Sequence, residues 1–336
     1  MKRFLKPFQQ TTGLARWIML IGIVIVFLFI IVAIFADFIA PYGFNQVEVD
    51  GVRFVKQAPP GPGHILGVND QFYDIFSRVI YGARTALEVV LLSIILSLVI
   101  GVVLGLLCGY VGGWVDRCLV FLMDAMYAFP SLLLAIVFSF LLSGLMKGSG
   151  IISAALSLTV VYIPRYFRVV RNTTLSAREA TYVEAARAIG APNRTIMGRY
   201  LFTNVIQSVP VIGTLNAADA ISTLAALGFL GLGIQPIDAS EWGYDLSRAL
   251  DDAASGIWWT GMFPGLAIVL LVTGLTLIGE GLNETMNPTL RKRRFAAIVL
   301  PERKPKAKVA VAAEVVTNDI AESAYEEIVD DGEVKP

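Results

Sequence analysis

The residues in this chain that could do chemistry are few and scattered. One histidine, His64, stands in a Gly/Pro-rich loop with no cysteine or second histidine near it, so a metal site is not expected there. Cys108 and Cys118 fall at the cytoplasmic end of one hairpin in the topology derived below, where thiols stay reduced. No Gly-x-x-x-x-Gly-Lys-Ser/Thr loop is present to cradle phosphates, nor a His-Glu-x-x-His pair, nor a supported Ser/His/Asp grouping. Covalent catalysis and ATP hydrolysis by this chain are therefore not expected, and neither is a cofactor. What remains is a set of carboxylates inside or beside long apolar runs: Glu88, Asp124 and Glu280. At the centre of a bilayer each would cost about 2.5–3.5 kcal/mol unless paired or near the interface. Asp124 and Glu280 are expected to face a partner chain or a nearby arginine, and Glu88 to pair with Arg84 one helical turn earlier.

The elements that carry these groups are membrane spans. Of 336 residues 56% are hydrophobic and only 16% charged, far from soluble norms, and the formal net charge of zero points to no nucleic-acid partner. After Lys2, Arg3, Lys6 and Arg16, an uninterrupted apolar run from Trp17 to Ala36 reaches about 30 Å as a helix, the hydrocarbon thickness. Further runs lie at about 84–109, 119–142, 152–168, 201–226 and 262–282. Their length without two-residue alternation means helices rather than barrel strands, an all-α polytopic protein with about six transmembrane helices. Pro130 and Pro164 are expected to bend theirs. With the N-terminus inside, 21 of the 27 Lys and Arg fall on the inner side, which sets both termini in the cytoplasm. The chain then divides into a cytoplasmic N-terminus (1–16), a transmembrane region (17–290) with outer segments at 37–83 and 227–261, and a cytoplasmic tail (291–336). That tail is basic and then acidic, a composition expected of disorder.

One inner loop, 169–200, is much longer than a turn needs. It is arginine-rich and strongly helix-forming from Ser176 to Gly190; Gly190 suits a helix C-cap, Pro192 stops continuation, and a second short helix from Asn193 to Tyr200 leads back to the membrane. The outer segment 227–261 opens on Leu227-Gly228-Phe229-Leu230-Gly231-Leu232-Gly233. It then sets Asp238, Glu241, Asp245, Asp251 and Asp252 among Trp242, Trp258 and Trp259, which reads either as an aromatic belt with solvated loops or as an outer cap where something docks.

Glu184-Ala185-Ala186 followed by Gly190 resembles the EAA loop of ATP-binding-cassette importer permeases. From about Gly67 to Arg291 the chain is similar, more narrowly, to the second permease subunit of dipeptide, oligopeptide and nickel importers. The strings Ser77–Arg84, Gly109–Asp116, Ala128-Phe129-Pro130, Tyr182–Ala191, Phe229–Gly233, Glu241-Trp242-Gly243, Phe263–Ala267 and Gly279–Leu282 carry the likeness in the right order. The resemblance implies the type I importer fold, a prokaryotic cell-membrane location and alternating access. It also implies a homologous permease partner, two cytoplasmic ATPase subunits, an extracytoplasmic substrate-binding protein and surrounding lipid. By the same likeness Glu184, Ala185, Ala186 and Gly190 form the ATPase-coupling site, and Trp242, Asp245 and Asp251 belong to an outer docking ledge. Departures occur at Thr203, where the family has proline, at Phe121 in place of arginine, and at Asn283 and Asn287. Peptide is the default cargo, nickel or another solute the alternative. An ion-coupled secondary transporter would instead show internal repeats and a mid-membrane coupling carboxylate, neither of which is evident.

Overall fold

The computed structural model describes residues 13–145 and 150–286; the tail expected from 291 onward lies outside them. Helix α1 (Gly13–Ile34) is followed by an irregular stretch holding a two-residue hairpin, β1 (Glu48–Val49) and β2 (Val52–Arg53). Then come α2 (Ile75–Val111), α3 (Gly113–Ala128), α4 (Ser131–Leu145), α5 (Gly150–Arg178) and the short α6 (Thr181–Ala188). Helix α7 runs Asn193–Phe229, α8 Trp242–Ala254 and α9 Trp259–Met286. Among the described residues five helices are long and apolar enough to cross a membrane, or six if the bent pair α3 and α4 is counted as one span. Apolar side chains such as Phe27, Leu91, Phe121 and Phe140 stand exposed around this bundle, as lipid or a partner subunit would require.

Helix α2, 37 residues long, reaches about 55 Å, so it extends well beyond the apolar run at 84–109. Asp74 caps its N-terminus by accepting from the Ser77 amide at 2.8 Å. Its main partner is α5, and the contact is made close by Gly101, Gly105 and Gly109, spaced one turn apart on one face. A Cβ at these positions would lie 2.5 Å from Tyr166 Cβ, 2.9 Å from the Phe167 carbonyl and 2.6 Å from Thr174 Cβ. Small residues at this spacing let two backbones approach where no hydrophobic force drives helices together in lipid. The main buried cluster runs along this seam and into α7 through Leu158, Tyr162, Tyr166, Ile221 and Leu224.

One expectation is met and another needs correction. The run at 119–142 bends at Pro130, as expected, and sharply enough to part it into two helices: α3 and α4 meet at 100°. Phe129 takes an extended backbone (ψ 140°), the conformation a residue before proline prefers, and the Pro130 carbonyl starts the next helix by accepting from the Leu134 amide. The expected helix from Ser176 to Gly190 is also two pieces, because α5 continues to Arg178 and Ala180, extended at ψ 146°, separates it from α6. Pro164, by contrast, sits within α5 without ending it.

Candidate functional site

Helix α6 ends in a Schellman cap. Gly190, at φ +77°, donates to the Arg187 carbonyl and Ala191 to that of Ala186, so the last carbonyls are satisfied by a backbone only glycine adopts cheaply. Val183 and Ala186 turn inward, buried with Ile196 and Leu201 at the start of α7. This corrects the expectation for Ala186: it packs against its own chain, and only Glu184 and Ala185 of the triplet face outward. Beside them Ile189 is 80% exposed, a large apolar side chain at the tip of a polar segment. The segment is stapled at its base. Tyr110 of α2 donates to Asn193 at 2.6 Å, Asn204 donates to the Tyr182 hydroxyl at 2.9 Å, and Arg187 lies over the Tyr110 ring. Past Asn193, α7 begins irregularly, with a π-helical turn at Ile196–Leu201 and a 3₁₀ turn at Ile206–Ser208 flanking Thr203. Thr203, standing where proline was expected, bonds back to the Arg199 carbonyl.

At the other end of the bundle the segments read separately as 37–83 and 227–261 form one cap. Arg78, 1% exposed, donates from Nε to both Asp245 oxygens at 2.7 and 2.9 Å and from Nη1 to the Phe44 carbonyl. Ser240 and Trp242 donate to the Arg78 and Val79 carbonyls, Arg248 reaches Asp70 at 2.6 Å, and Gln57 bonds Asp252. Glu241 caps α8, accepting from the Gly243 and Tyr244 amides, and Gly228 leaves the space its carboxylate fills. Burial nonetheless pushes the Glu241 carboxyl up to about 8, its two backbone donors opposing the shift. Burial likewise raises Asp245 against the pull of Arg78. Trp242 and Asp245 are therefore interior members of the cap, 2% and 6% exposed, and cannot offer a surface; of the three residues expected on a docking ledge only Asp251 is exposed. His64 is a loop residue, bonded through Nδ1 to Asp74 between Tyr42 and Phe54, and no metal-binding cluster occurs among the described residues.

Between the two ends, α5 carries Arg165, Arg168 and Arg171, each paired with an aspartate from another helix. Arg165 meets Asp219 of α7 at 2.7 Å, Arg168 meets Asp124 of α3 at 2.8 Å, and Arg171 meets Asp116 of α3 at 2.6 Å. Of the two settings expected for Asp124, a partner chain or a nearby arginine, the structure shows the arginine. Glu280 is exposed and in no ion pair among the described residues. Arg84 forms its ion pair with Asp37, just beyond α1, rather than with Glu88, and also donates to the Ala33 carbonyl in the last turn of α1. Asp219 was missed because a single carboxylate hardly lowers the hydropathy of the run 201–226; being the sole acid in that run was the signal available.

Residues 101–292 match the family described as "Binding-protein-dependent transport system inner membrane component", and residues 15–60 match "N-terminal TM domain of oligopeptide transport permease C". The dipeptide transport system permease protein of Alkalihalophilus pseudofirmus is 33% identical over 85% of this chain and 94% of its own length. Its counterpart in Escherichia coli is 43% identical over 81% of this chain and 89% of its own. The glutathione transport system permease protein of Shigella flexneri is 39% identical over 79% and 84%. The chain belongs to the binding-protein-dependent transport system inner membrane component family and is a permease subunit of an ATP-binding-cassette importer with the type I fold.

Proposed function

We propose that this subunit forms half of the translocation pathway of an importer for di- and oligopeptides in a prokaryotic cell membrane, with both termini in the cytoplasm. The observation that carries the reading is α6: a short, capped helix stapled at its base, presenting Glu184, Ala185 and Ile189 outward at one end of the bundle. Such a helix suits a groove on a separate ATPase subunit, with Ile189 as apolar anchor and Glu184 as charge-assisted contact. The peptide cargo is supported by the relatives, which are dipeptide and glutathione transport permeases. A homologous permease subunit would complete the pathway, and a substrate-binding protein would dock on the cap near Asp251.

The test is Glu184→Lys and, separately, Ile189→Asp in the co-expressed importer. Both variants are expected in the membrane, with peptide uptake at least tenfold lower and less ATPase subunit co-purifying. Unchanged uptake together with unchanged co-purification would remove α6 from the coupling role. A cysteine at Asp251 labelled by an impermeant thiol reagent only after the membrane is broken would invert the orientation.

A further inference from the structure

Arg165 and Asp219 lie far from both ends of their helices, yet their side chains are 30% and 41% exposed. Arg165 is fifteen residues from the start of α5, about 22 Å down the helix, and Asp219 is ten residues, about 15 Å, from the end of α7. A charged pair at that depth is not left facing hydrocarbon, where each member costs about 2.5–3.5 kcal/mol; such residues turn to a bundle interior or a water-filled cavity. Its setting is built. The Arg165 guanidinium lies over the Tyr162 ring at 5.1 Å, and the Tyr162 hydroxyl donates to Asp219 at 3.2 Å. Arg165 also reaches the side-chain oxygen of Asn216, which is buried and whose Nδ2 has no hydrogen-bond partner among the described residues.

Towards the cap, one turn beyond Asp219, the exposed Ser222 borders an open apolar groove of about 440 Å³ lined also by Leu132, Leu246 and Ile268 from three further helices. Towards the coupling end, one turn along α5, the Arg168–Asp124 pair is again half-exposed, at 44% and 58%. An open apolar groove thus lies one helical turn from the first of two successive ion pairs, each presenting both signs of charge. A net-neutral lining with separated charges suits a cargo that is itself neutral overall and dipolar. A divalent cation would need clustered carboxylates, and none occur among the described residues.

We propose that the Arg165–Asp219 pair is a cargo-contacting station in the translocation pathway, where the ammonium group of a zwitterionic short peptide exchanges onto Asp219 and its carboxylate onto Arg165. This deepens, and rests on, the peptide-importer reading above. The test uses the whole importer in liposomes, with a zwitterionic dipeptide as probe, and reads the number of peptides carried per ATP hydrolysed. Asp219→Asn is expected to lower that ratio about tenfold. An unchanged ratio overturns the proposal, whether uptake and hydrolysis both persist or both fall together as a purely structural role would have it. Ser222→Cys gives an independent reading. It is expected to react with a small charged thiol reagent in the assembled importer and to be protected by peptide; failure to react would place this face against lipid or the partner subunit and overturn the station. An unaltered importer that carries no peptide would overturn the function reading and the cargo class together, and is recognised because it fails before any substitution.

Discussion

Replacing Asp245 by asparagine removes the carboxylate that forms the ion pair with a guanidinium that is 1% exposed. Arg78 would keep the Phe44 carbonyl on Nη1, but Nε would exchange two carboxylate oxygens for at most one neutral amide oxygen, and Nη2 has no partner among the described residues already. Breaking a buried pair by taking away one member costs about 3–5 kcal/mol, because an uncompensated charge stays behind. Removing both charges costs less, so Arg78→Met combined with Asp245→Leu is expected to be milder than Asp245→Asn alone. Glu179→Gln provides the scale for an exposed pair: with side-chain exposures of 31% and 69%, the Arg178–Glu179 contact contributes only about 0–1 kcal/mol. The assay is the apparent unfolding midpoint of the detergent-solubilised protein at one fixed scan rate, since membrane proteins unfold irreversibly. Limited proteolysis of the exposed residues 49–53, which belong to the cap, adds a local reading. Asp245→Asn should lower the midpoint by several degrees and speed cleavage. A shift no larger than that of Glu179→Gln, or a double variant worse than the single one, would refute the idea that this pair locks the cap.

Two further outcomes are expected. Glu241 titrates near 8 in the folded cap against 4.5 as the ordinary value, so between those pH values the folded state holds a proton the unfolded chain has released. Stability should therefore fall as pH rises from about 5 to 8, and Glu241→Gln should flatten that fall in a midpoint-versus-pH series; an unchanged slope would exclude Glu241 as its source. Gly105→Ala places a methyl 2.9 Å from a backbone carbonyl of α5, whereas Gly144→Ala meets nothing within 4 Å. The first should cost about 1–3 kcal/mol by overpacking and the second nothing, as read from relative midpoints.

Much of the bundle is legible in the sequence because a bilayer imposes one rule, that apolar runs of spanning length become helices. Capping chemistry was legible as well: Gly190 followed by Pro192 marks the end of α6 where the structure puts it. What stayed hidden depends on which residues meet. Trp242 and Asp245 read as surface groups because acidic and aromatic residues in an extramembrane segment are usually wet. Their burial is set by Arg78, 167 positions away, and no local pattern records that pairing. Ala185 and Ala186 are chemically identical, so composition could not say that only Ala186 faces inward; the 100° step from one residue to the next on α6 decides it. Arg165 and Arg168 stand near the end of the run 152–168, and nothing local in the sequence names their partners. The structure keeps them inside α5, each with an aspartate supplied by a different helix.

The interlocked cap also constrains how the chain is made. Arg78 emerges from the ribosome 167 residues before Asp245, an interval on the order of 10–30 s at ordinary elongation speeds. Throughout that time Arg78 lacks its native partner Asp245, and the carbonyls of Arg78 and Val79 lack the donors they later receive from Ser240 and Trp242. The last third of the polypeptide therefore decides whether the segment following the first span matures, and a nascent chain stalled before α8 presents that segment unfinished to proteolysis.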